Sequence, residues 1–351
     1  MDIIAEEIAV NDSKKRGFLK VFGYLLKRLI VIAVIAVFFC CSKVDWRSAF
    51  YCFDYCYVFP TLLFYFLHIT FASWRWRTLV LMQGIKIGKM EAFSLTMQGV
   101  FFSLILPGGA VGGDVVKVVA LSNHLPVGQR MEGAFTILID RVIGMIALFL
   151  LTLILLIFSW RVFYRVSIPG VSEKFSGTML LLLLGLLCIT GIVCGVGVFC
   201  HRLWEKLPLL DKLVVFLEKL SKGKVSRLFA AADVYRKEWR QVFLQIFLSI
   251  FWVHLMTAVP LLFLLAGTGE SVKIVPAVTA LMIGNIAGLI PIFPGGIGGR
   301  DVTAVALMIA GGISVSGAEM AQLLYTVVMV MCNLSGGIFF IVDPGRKLKN
   351  E

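Results

Sequence analysis

The sequence predicts an all-α protein that crosses a membrane several times and contains an inverted internal repeat. Three observations support this prediction: the composition, the spacing of long apolar runs, and a glycine-rich motif that occurs twice. Of the 351 residues, 59% are apolar and 15% are charged, whereas soluble domains have about 45–50% and about 25%. The mean hydropathy is +0.93. This composition excludes a disordered chain, a coiled coil and an ordinary soluble enzyme.

Long apolar runs alternate with shorter, interrupted ones. A membrane-spanning helix needs about 20 consecutive apolar residues. Two segments, 91–121 and 274–312, each contain two shorter apolar pieces separated by a Pro/Gly cluster, and they predict re-entrant hairpins or broken helices. The six runs that are long enough to cross a bilayer are 22–42, 52–73, 133–160, 178–200, 241–266 and 318–342.

The distribution of Lys and Arg predicts that both termini are cytoplasmic. With that orientation, 25 of the 33 Lys and Arg residues fall in cytoplasmic segments and six in external ones, in line with the positive-inside rule. The rule also accounts for most of the net charge of +12, so we expect no nucleic acid as a partner. The predicted tails are 1–21 and 343–351. The insert 201–240 is either an amphipathic helix on the inner leaflet or a linker helix packed on the protein.

A nine-residue motif is repeated at an offset of 187 residues. Residues 107–115 read PGGAVGGDV and residues 294–302 read PGGIGGRDV. Each predicted half, 22–160 and 178–342, consists of two spans, one hairpin and a third span. Three crossings per half is an odd number, so the second half enters the membrane with reversed polarity. Inverted repeats of this kind are typical of secondary transporters, which bind their substrate near the bilayer midplane where broken helices meet.

The glycines of this motif have two interpretations. A Gly-rich turn leaves backbone groups unpaired, which is tolerated only inside protein or beside water, and the helix that follows directs its positive end at an anion such as phosphate. Alternatively, the glycines are close-packing positions between helices. Two copies with Pro and Asp at fixed offsets favour the first interpretation. The glycines predicted to form the substrate site are Gly108, Gly109, Gly112, Gly113, Gly295, Gly296 and Gly299.

Charged residues at membrane depth are the other candidates for a binding site. Such a charge costs a few kcal/mol, so each one requires a partner or water. We expect Asp140 to pair with Lys117, which leaves Arg141 directed into the cavity as a fork for phosphate. Arg300 is a second candidate for binding an anion, reached from the opposite side of the membrane.

Two acidic residues and two basic ones remain. Asp114 and Asp301 either cap the helices that follow the repeated turns or carry protons, and capping is favoured because Asp commonly caps after a turn. We include both in the predicted substrate site. Arg75 and Arg77 close the second predicted span. They are either anchors that fix the topology, which is the favoured interpretation, or contacts to a lipid headgroup.

The ordered motifs resemble those of the lysylphosphatidylglycerol synthase transmembrane-region family of flippase-like integral membrane proteins. The resemblance rests on residues 107–117, Asp140-Arg141 and 294–301, and it extends over about residues 20–343. It implies a lipid translocase of the cytoplasmic membrane. The best-known members carry a fused aminoacyl-transferring domain, but only nine residues follow the last predicted span here, so we expect no aminoacyl transfer. Lys117 stands where the family often has Arg, and Asp301 where it often has Glu.

The sequence thus leads us to expect a multi-pass protein of the cytoplasmic (inner) membrane that moves a phosphate-bearing phospholipid or glycolipid headgroup across the bilayer. Membrane lipids are the expected partners, and a lipid-synthesising enzyme is another. We expect no cofactor and no metal, because no metal spacing and no nucleophile–base pair occurs in the sequence. Two alternatives stay open: a membrane enzyme that acts on a lipid phosphate or glycolipid, and a scaffold that recruits a lipid-modifying partner through 201–240.

Overall fold

The computed structural model describes residues 50–106, 108–164, 173–199, 224–290 and 296–342. Within these ranges all regular secondary structure is helical. Five helical stretches there are long and apolar enough to cross a membrane, and the protein is an all-α polytopic membrane protein, as predicted. They are Tyr55–Met82, Arg130–Phe163, Gly177–Phe199, Trp239–Gly267 and Val315–Val342. The predicted span 22–42, both tails and residues 201–223 of the insert lie outside the described ranges.

The described part of the chain contains twelve helices, numbered here in chain order. They are α1 (Val58–Met82), α2 (Lys89–Ile105), α3 (Ala110–His124), α4 (Arg130–Phe163), α5 (Glu173–Phe199), α6 (Lys224–Lys237), α7 (Trp239–Leu248), α8 (Met256–Gly267), α9 (Ile274–Ala287), α10 (Gly299–Ala310), α11 (Val315–Leu334) and α12 (Gly336–Val342). A π-helical segment, Ser249–Leu255, joins α7 to α8.

The helix that contains the span predicted at 52–73 extends beyond the apolar run at its C-terminal end. α1 continues nine residues past position 73, to Met82. The sequence Arg75-Trp76-Arg77 looks like the end of a span, but the Trp76 side chain is fully buried and the Arg75 side chain is bound inside the bundle. Arg75 is therefore held by an ion pair inside the bundle, and its contact with a lipid headgroup stays a prediction.

The two predicted hairpins are observed as pairs of short helices. α2 and α3 have 17 and 15 residues, and α9 and α10 have 14 and 12. At about 1.5 Å per residue they measure roughly 18–26 Å, which is less than the hydrocarbon thickness of about 30 Å. The two helices of each pair pack against each other. Their lengths fit re-entrant helices, while the inverted orientation of the two halves stays a prediction.

Helix α4 connects the two halves of the core. It contacts α3 of the first helix pair and α9 of the second. Near its far end, the Ser159 and Thr279 hydroxyl oxygens lie 2.8 Å apart in a buried hydrogen bond between α4 and α9. The main hydrophobic cluster continues from α4 through α8, α9 and α11. The charged residues of α4 are therefore held beside the first helix pair by a large apolar core.

Candidate functional site

Five charged residues from three helices meet beside the first helix pair, and we call them the charge cluster. Two ion pairs organise it. Arg141 donates from Nε to Asp114 Oδ2 at 2.6 Å and from Nη2 to Asp114 Oδ1 at 2.7 Å. Arg75 donates from Nε to Asp140 Oδ1 at 2.8 Å. The members are Arg75 (α1), Asp114 and Lys117 (α3), and Asp140 and Arg141 (α4).

The pairing within the charge cluster differs from the one expected from the sequence. Asp140 is bound by Arg75 rather than by Lys117, and Arg141 holds Asp114 rather than standing alone. The reason is geometric, because consecutive residues on an α-helix point about 100° apart. Helix α4 therefore directs Asp140 toward α1 and Arg141 toward α3. Arg75, absent from the expected set of ion pairs, is the residue that completes the arrangement.

Lys117 is the cation of the charge cluster that takes part in neither of the two ion pairs. Its side chain is buried, and no carboxylate of the described residues lies within ion-pair distance of its ammonium group. Instead, Nζ lies 3.6 Å from the centroid of the Trp76 ring, a cation–π contact. The Trp76 indole is held by a hydrogen bond of 3.1 Å from Nε1 to Thr136 Oγ1. The charge cluster contains three cations and two anions, so it carries one surplus positive charge.

The repeated motif in the second half forms a closed ion pair. Arg300 donates from Nη2 to Asp301 Oδ1 at 2.6 Å and to Thr326 Oγ1 at 2.9 Å, and from Nη1 to Met329 Sδ at 2.8 Å. The guanidinium also lies 5.4 Å from the Tyr325 ring centroid. Only 7% of the Arg300 side chain is exposed. The predicted second anion-binding residue is thus fully engaged by its neighbours in this conformation.

The capping prediction holds for one of the two acidic residues. Asp301 accepts from the Gly298 backbone N–H at 3.0 Å and so caps α10, as a carboxylate near a helix N-terminus commonly does. Asp114 does not cap, because α3 begins at Ala110, four residues earlier. Its carboxylate is instead directed at Arg141. The same aspartate of the repeat therefore has different partners in the two halves.

Part of the glycine motif forms turns. Gly108 and Gly109 have φ values of +92° and +56°, and Gly296 and Gly298 have values of +74° and +97°. Residues with side chains rarely adopt this region, so these positions favour glycine. Gly298 was missed by the sequence prediction because it aligns with Val111 in the first copy. Gly295 lies outside the described residues.

The rest of the motif packs helices. A Cβ atom placed on Gly113 would lie 2.1 Å from the Gly99 carbonyl oxygen, so α2 and α3 cross in direct backbone contact here. Gly112 is also buried, and Gly299 is the first residue of α10. The close-packing interpretation is therefore correct for Gly113, and the turn interpretation for the glycines with positive φ.

Arg77, the other basic residue of the triplet on α1, has a local role. Its Nε donates to the Ile87 backbone oxygen at 3.0 Å and fixes the connection between α1 and α2. A different feature on α1 was not predicted. A cavity of about 240 Å³ lies between α1 and the π-helical segment, and Arg75 is part of its wall. A π-helical segment has no signature in the apolar periodicity, so it could not be predicted from the sequence.

Comparison with known proteins agrees with this architecture. The sequence model of the lysylphosphatidylglycerol synthase transmembrane region matches residues 25–336. A UPF0104 membrane protein of Pyrococcus horikoshii is 20% identical over 302 residues, which cover 84% of this chain and 89% of that protein. No solved structure matches the chain. Because the family match includes both helix pairs and the whole charge cluster, this protein belongs to the lysylphosphatidylglycerol synthase transmembrane-region family.

Proposed function

We propose that this protein is a translocase for a lipid whose headgroup carries a phosphate, and that the charge cluster binds that phosphate. The observation that carries the proposal is the position of Lys117. Its buried ammonium contacts an aromatic ring and no described carboxylate, so the cluster has one uncompensated positive charge. A buried charge is costly unless it is paired. A phosphodiester with one negative charge would neutralise the cluster.

The pair Arg141–Asp114 gives that phosphate a place to bind. The Arg141 side chain is 48% exposed and the Asp114 side chain 21%, which makes this pair the more accessible of the two in the cluster. The guanidinium presents two N–H groups to two carboxylate oxygens, and a phosphate offers the same two-oxygen geometry. We infer that the headgroup phosphate exchanges with Asp114 on Arg141 while it approaches Lys117.

The difference between the two halves supports alternating access. The Arg141 fork is half-exposed, whereas Arg300 is buried and bound by Asp301, Thr326 and Met329. In inverted-repeat transporters the two halves exchange roles, with one site open while its counterpart is closed. On the predicted orientation, the conformation described here has the cytoplasmic side accessible.

The same geometry favours binding over acid–base catalysis. In the charge cluster, both carboxylates accept charge-assisted hydrogen bonds from Arg. A general base must reach the proton that it removes, and a carboxylate already bound by guanidinium is poorly placed to do so. The cluster therefore supports recognition of a phosphate better than chemical change of the lipid.

A reconstitution assay tests the lipid class. Proteoliposomes would carry phosphatidylglycerol labelled with nitrobenzoxadiazole on one acyl chain, and dithionite would bleach only the outer leaflet. We expect bleaching beyond the outer-leaflet fraction in proteoliposomes but not in empty liposomes, and no such excess for equally labelled glucosylceramide, which lacks phosphate. Equal bleaching of the two lipids would overturn the proposal. The proposal would also fail if phosphatidylglycerol, phosphatidylserine and phosphatidic acid were all bleached no further than in empty liposomes.

A further inference from the structure

The geometry points to a second lipid site on this protein: the cavity between α1 and the π-helical segment, which we call the α1–π cavity. We propose that it holds the phosphate headgroup of an anionic phospholipid from the adjacent leaflet, with the phosphate on the Arg75 guanidinium. The inference deepens the proposed function and rests on it, because Arg75 also belongs to the charge cluster. Lipid occupancy and lipid transport are separate measurements, so the two can fail independently.

The cavity lies between two helix faces that pack together where the Phe71 and Trp252 ring centroids are 4.6 Å apart. On α1 the lining residues include Phe71, Trp74, Arg75 and Thr78, at the spacing of one helix face. The opposite wall comes from the end of α7 and the π-helical segment, and includes Ser249 and Trp252. The volume of about 240 Å³ corresponds to roughly eight water molecules at about 30 Å³ each. That space accommodates a headgroup but not a whole lipid.

The polar groups of the cavity wall suit an anion. Arg75 donates from Nη1 to Ser249 Oγ at 3.1 Å, while its Nε is bound to Asp140. Thr78 and Gln245 contribute a hydroxyl and an amide to the same wall. The Ser249 hydroxyl in turn donates to the Gln245 backbone oxygen at 2.5 Å, and the Thr78 hydroxyl donates to a backbone oxygen of its own helix at 3.0 Å. The donors left for a ligand are therefore N–H groups of Arg75, and a phosphate oxygen can accept from its Nη2, because hydrocarbon supplies no acceptor.

The depth of the cavity matches the headgroup region. Trp74 and Trp252 on its rim have exposed side chains, and tryptophans of membrane proteins concentrate at the membrane–water interface. Arg75 lies seven residues before the end of α1 at Met82, which is about 10 Å along the helix. That end of α1 contacts α6, where the Tyr235 hydroxyl donates to the Leu79 backbone oxygen at 3.0 Å.

The orientation identifies the leaflet that supplies the lipid. α6 belongs to the insert that the Lys and Arg distribution places in the cytoplasm, so the cavity faces the inner leaflet. The rare π-helical geometry, which often marks functional sites, supplies Ser249 and Trp252 to the cavity.

Site-specific photo-crosslinking tests the proposal. Benzoylphenylalanine would replace Trp252 on the cavity rim or, as the matched control, Phe247, which is exposed on the same helical stretch outside the cavity. The full-length protein would be placed in nanodiscs of phosphatidylglycerol and phosphatidylcholine, and mass spectrometry would identify the cross-linked lipid. We expect the Trp252 position to capture phosphatidylglycerol over phosphatidylcholine about tenfold more than the bulk ratio, because both lipids offer a phosphate but the choline cation of phosphatidylcholine is repelled by the Arg75 guanidinium. The Phe247 position should follow the bulk ratio.

One variant connects the enrichment to the cavity. Ser249→Val keeps Arg75 but removes the hydroxyl that accepts from Arg75 Nη1 and positions the guanidinium, so it should bring the ratio at Trp252 toward the bulk value. A bulk ratio in the unmodified protein, or enrichment of the zwitterionic lipid, would overturn the inference. Phosphatidylglycerol enrichment without transport would leave this site standing and defeat the proposed function, and transport without enrichment would do the reverse.

Discussion

Arg75 and Asp140 join α1 to α4 through a hydrogen bond of 2.8 Å between Nε and Oδ1, with 10% and 13% of their side chains exposed. The bond links the two proposed lipid sites, because Arg75 lines the α1–π cavity and Asp140 is the neighbour of Arg141, the proposed phosphate contact. A buried ion pair stabilises little against an apolar replacement, but removal of one partner strands the other charge.

The first prediction concerns this pair. Arg75→Met or Asp140→Leu alone should lower the free energy of unfolding by about 3–5 kcal/mol, because each leaves one uncompensated charge buried in the protein. The double variant Arg75→Met/Asp140→Leu should lose much less than the sum of the single variants. Denaturant unfolding in detergent micelles measures all three, and additive losses would contradict the pairing.

The second prediction separates binding from stability at the fork. Arg141→Lys keeps the charge but loses the two-point geometry toward Asp114. We expect lipid translocation to fall while the free energy of unfolding changes by less than about 1 kcal/mol, because the pair is half-exposed. Arg161→Lys, at an exposed position of the same helix, is the control. Unchanged translocation by Arg141→Lys would exclude the fork as the phosphate contact.

The third prediction concerns the crossing of α2 and α3. Gly113→Ala would place a Cβ atom 2.1 Å from the Gly99 carbonyl oxygen, so the helices must separate. We expect a loss of about 1–3 kcal/mol in the free energy of unfolding. Gly185→Ala is the matched control, since a Cβ there meets nothing within 4 Å and alanine favours the helix. Equal stability of the two variants would contradict the close contact.

The fourth prediction compares equivalent aspartates of the repeat. Asp301→Asn removes the charge opposite the buried Arg300 and weakens the cap of α10. Asp114→Asn removes a charge opposite the half-exposed Arg141. Asp301→Asn should therefore lower the unfolding temperature clearly more than Asp114→Asn. Equal shifts would mean that the two halves are equally open.

The sequence was sufficient to predict an all-α polytopic membrane protein, while the substrate role of the charged residues stays a prediction. Apolar run lengths predict which helices can span the membrane, because the bilayer imposes a minimum length. The repeat at an offset of 187 residues predicts the two short helix pairs, and both appear where the motif places them.

The partners in the ion pairs and the positions of the helix ends could be identified only from the structure. Arg300 is predicted from the sequence as a residue that binds an anion, yet its guanidinium bonds to Asp301 at 2.6 Å. Asp301 lies in the first turn of α10, and its carboxylate turns back toward the helix start, within reach of the long Arg300 side chain. Arg75 follows an apolar run and looks interfacial, so its pairing with Asp140 depends on a tertiary contact that no local pattern reports.

The most direct test of the account is the rate of phosphatidylglycerol translocation by Lys117 variants in proteoliposomes. Lys117→Gln removes the surplus positive charge, and Lys117→Arg keeps it and retains contact with the Trp76 ring. We predict a loss of about tenfold or more for Lys117→Gln and near-native rates for Lys117→Arg and for the control Lys86→Gln, an exposed residue. A correctly folded Lys117→Gln protein that translocates the lipid at the native rate would contradict the central claim.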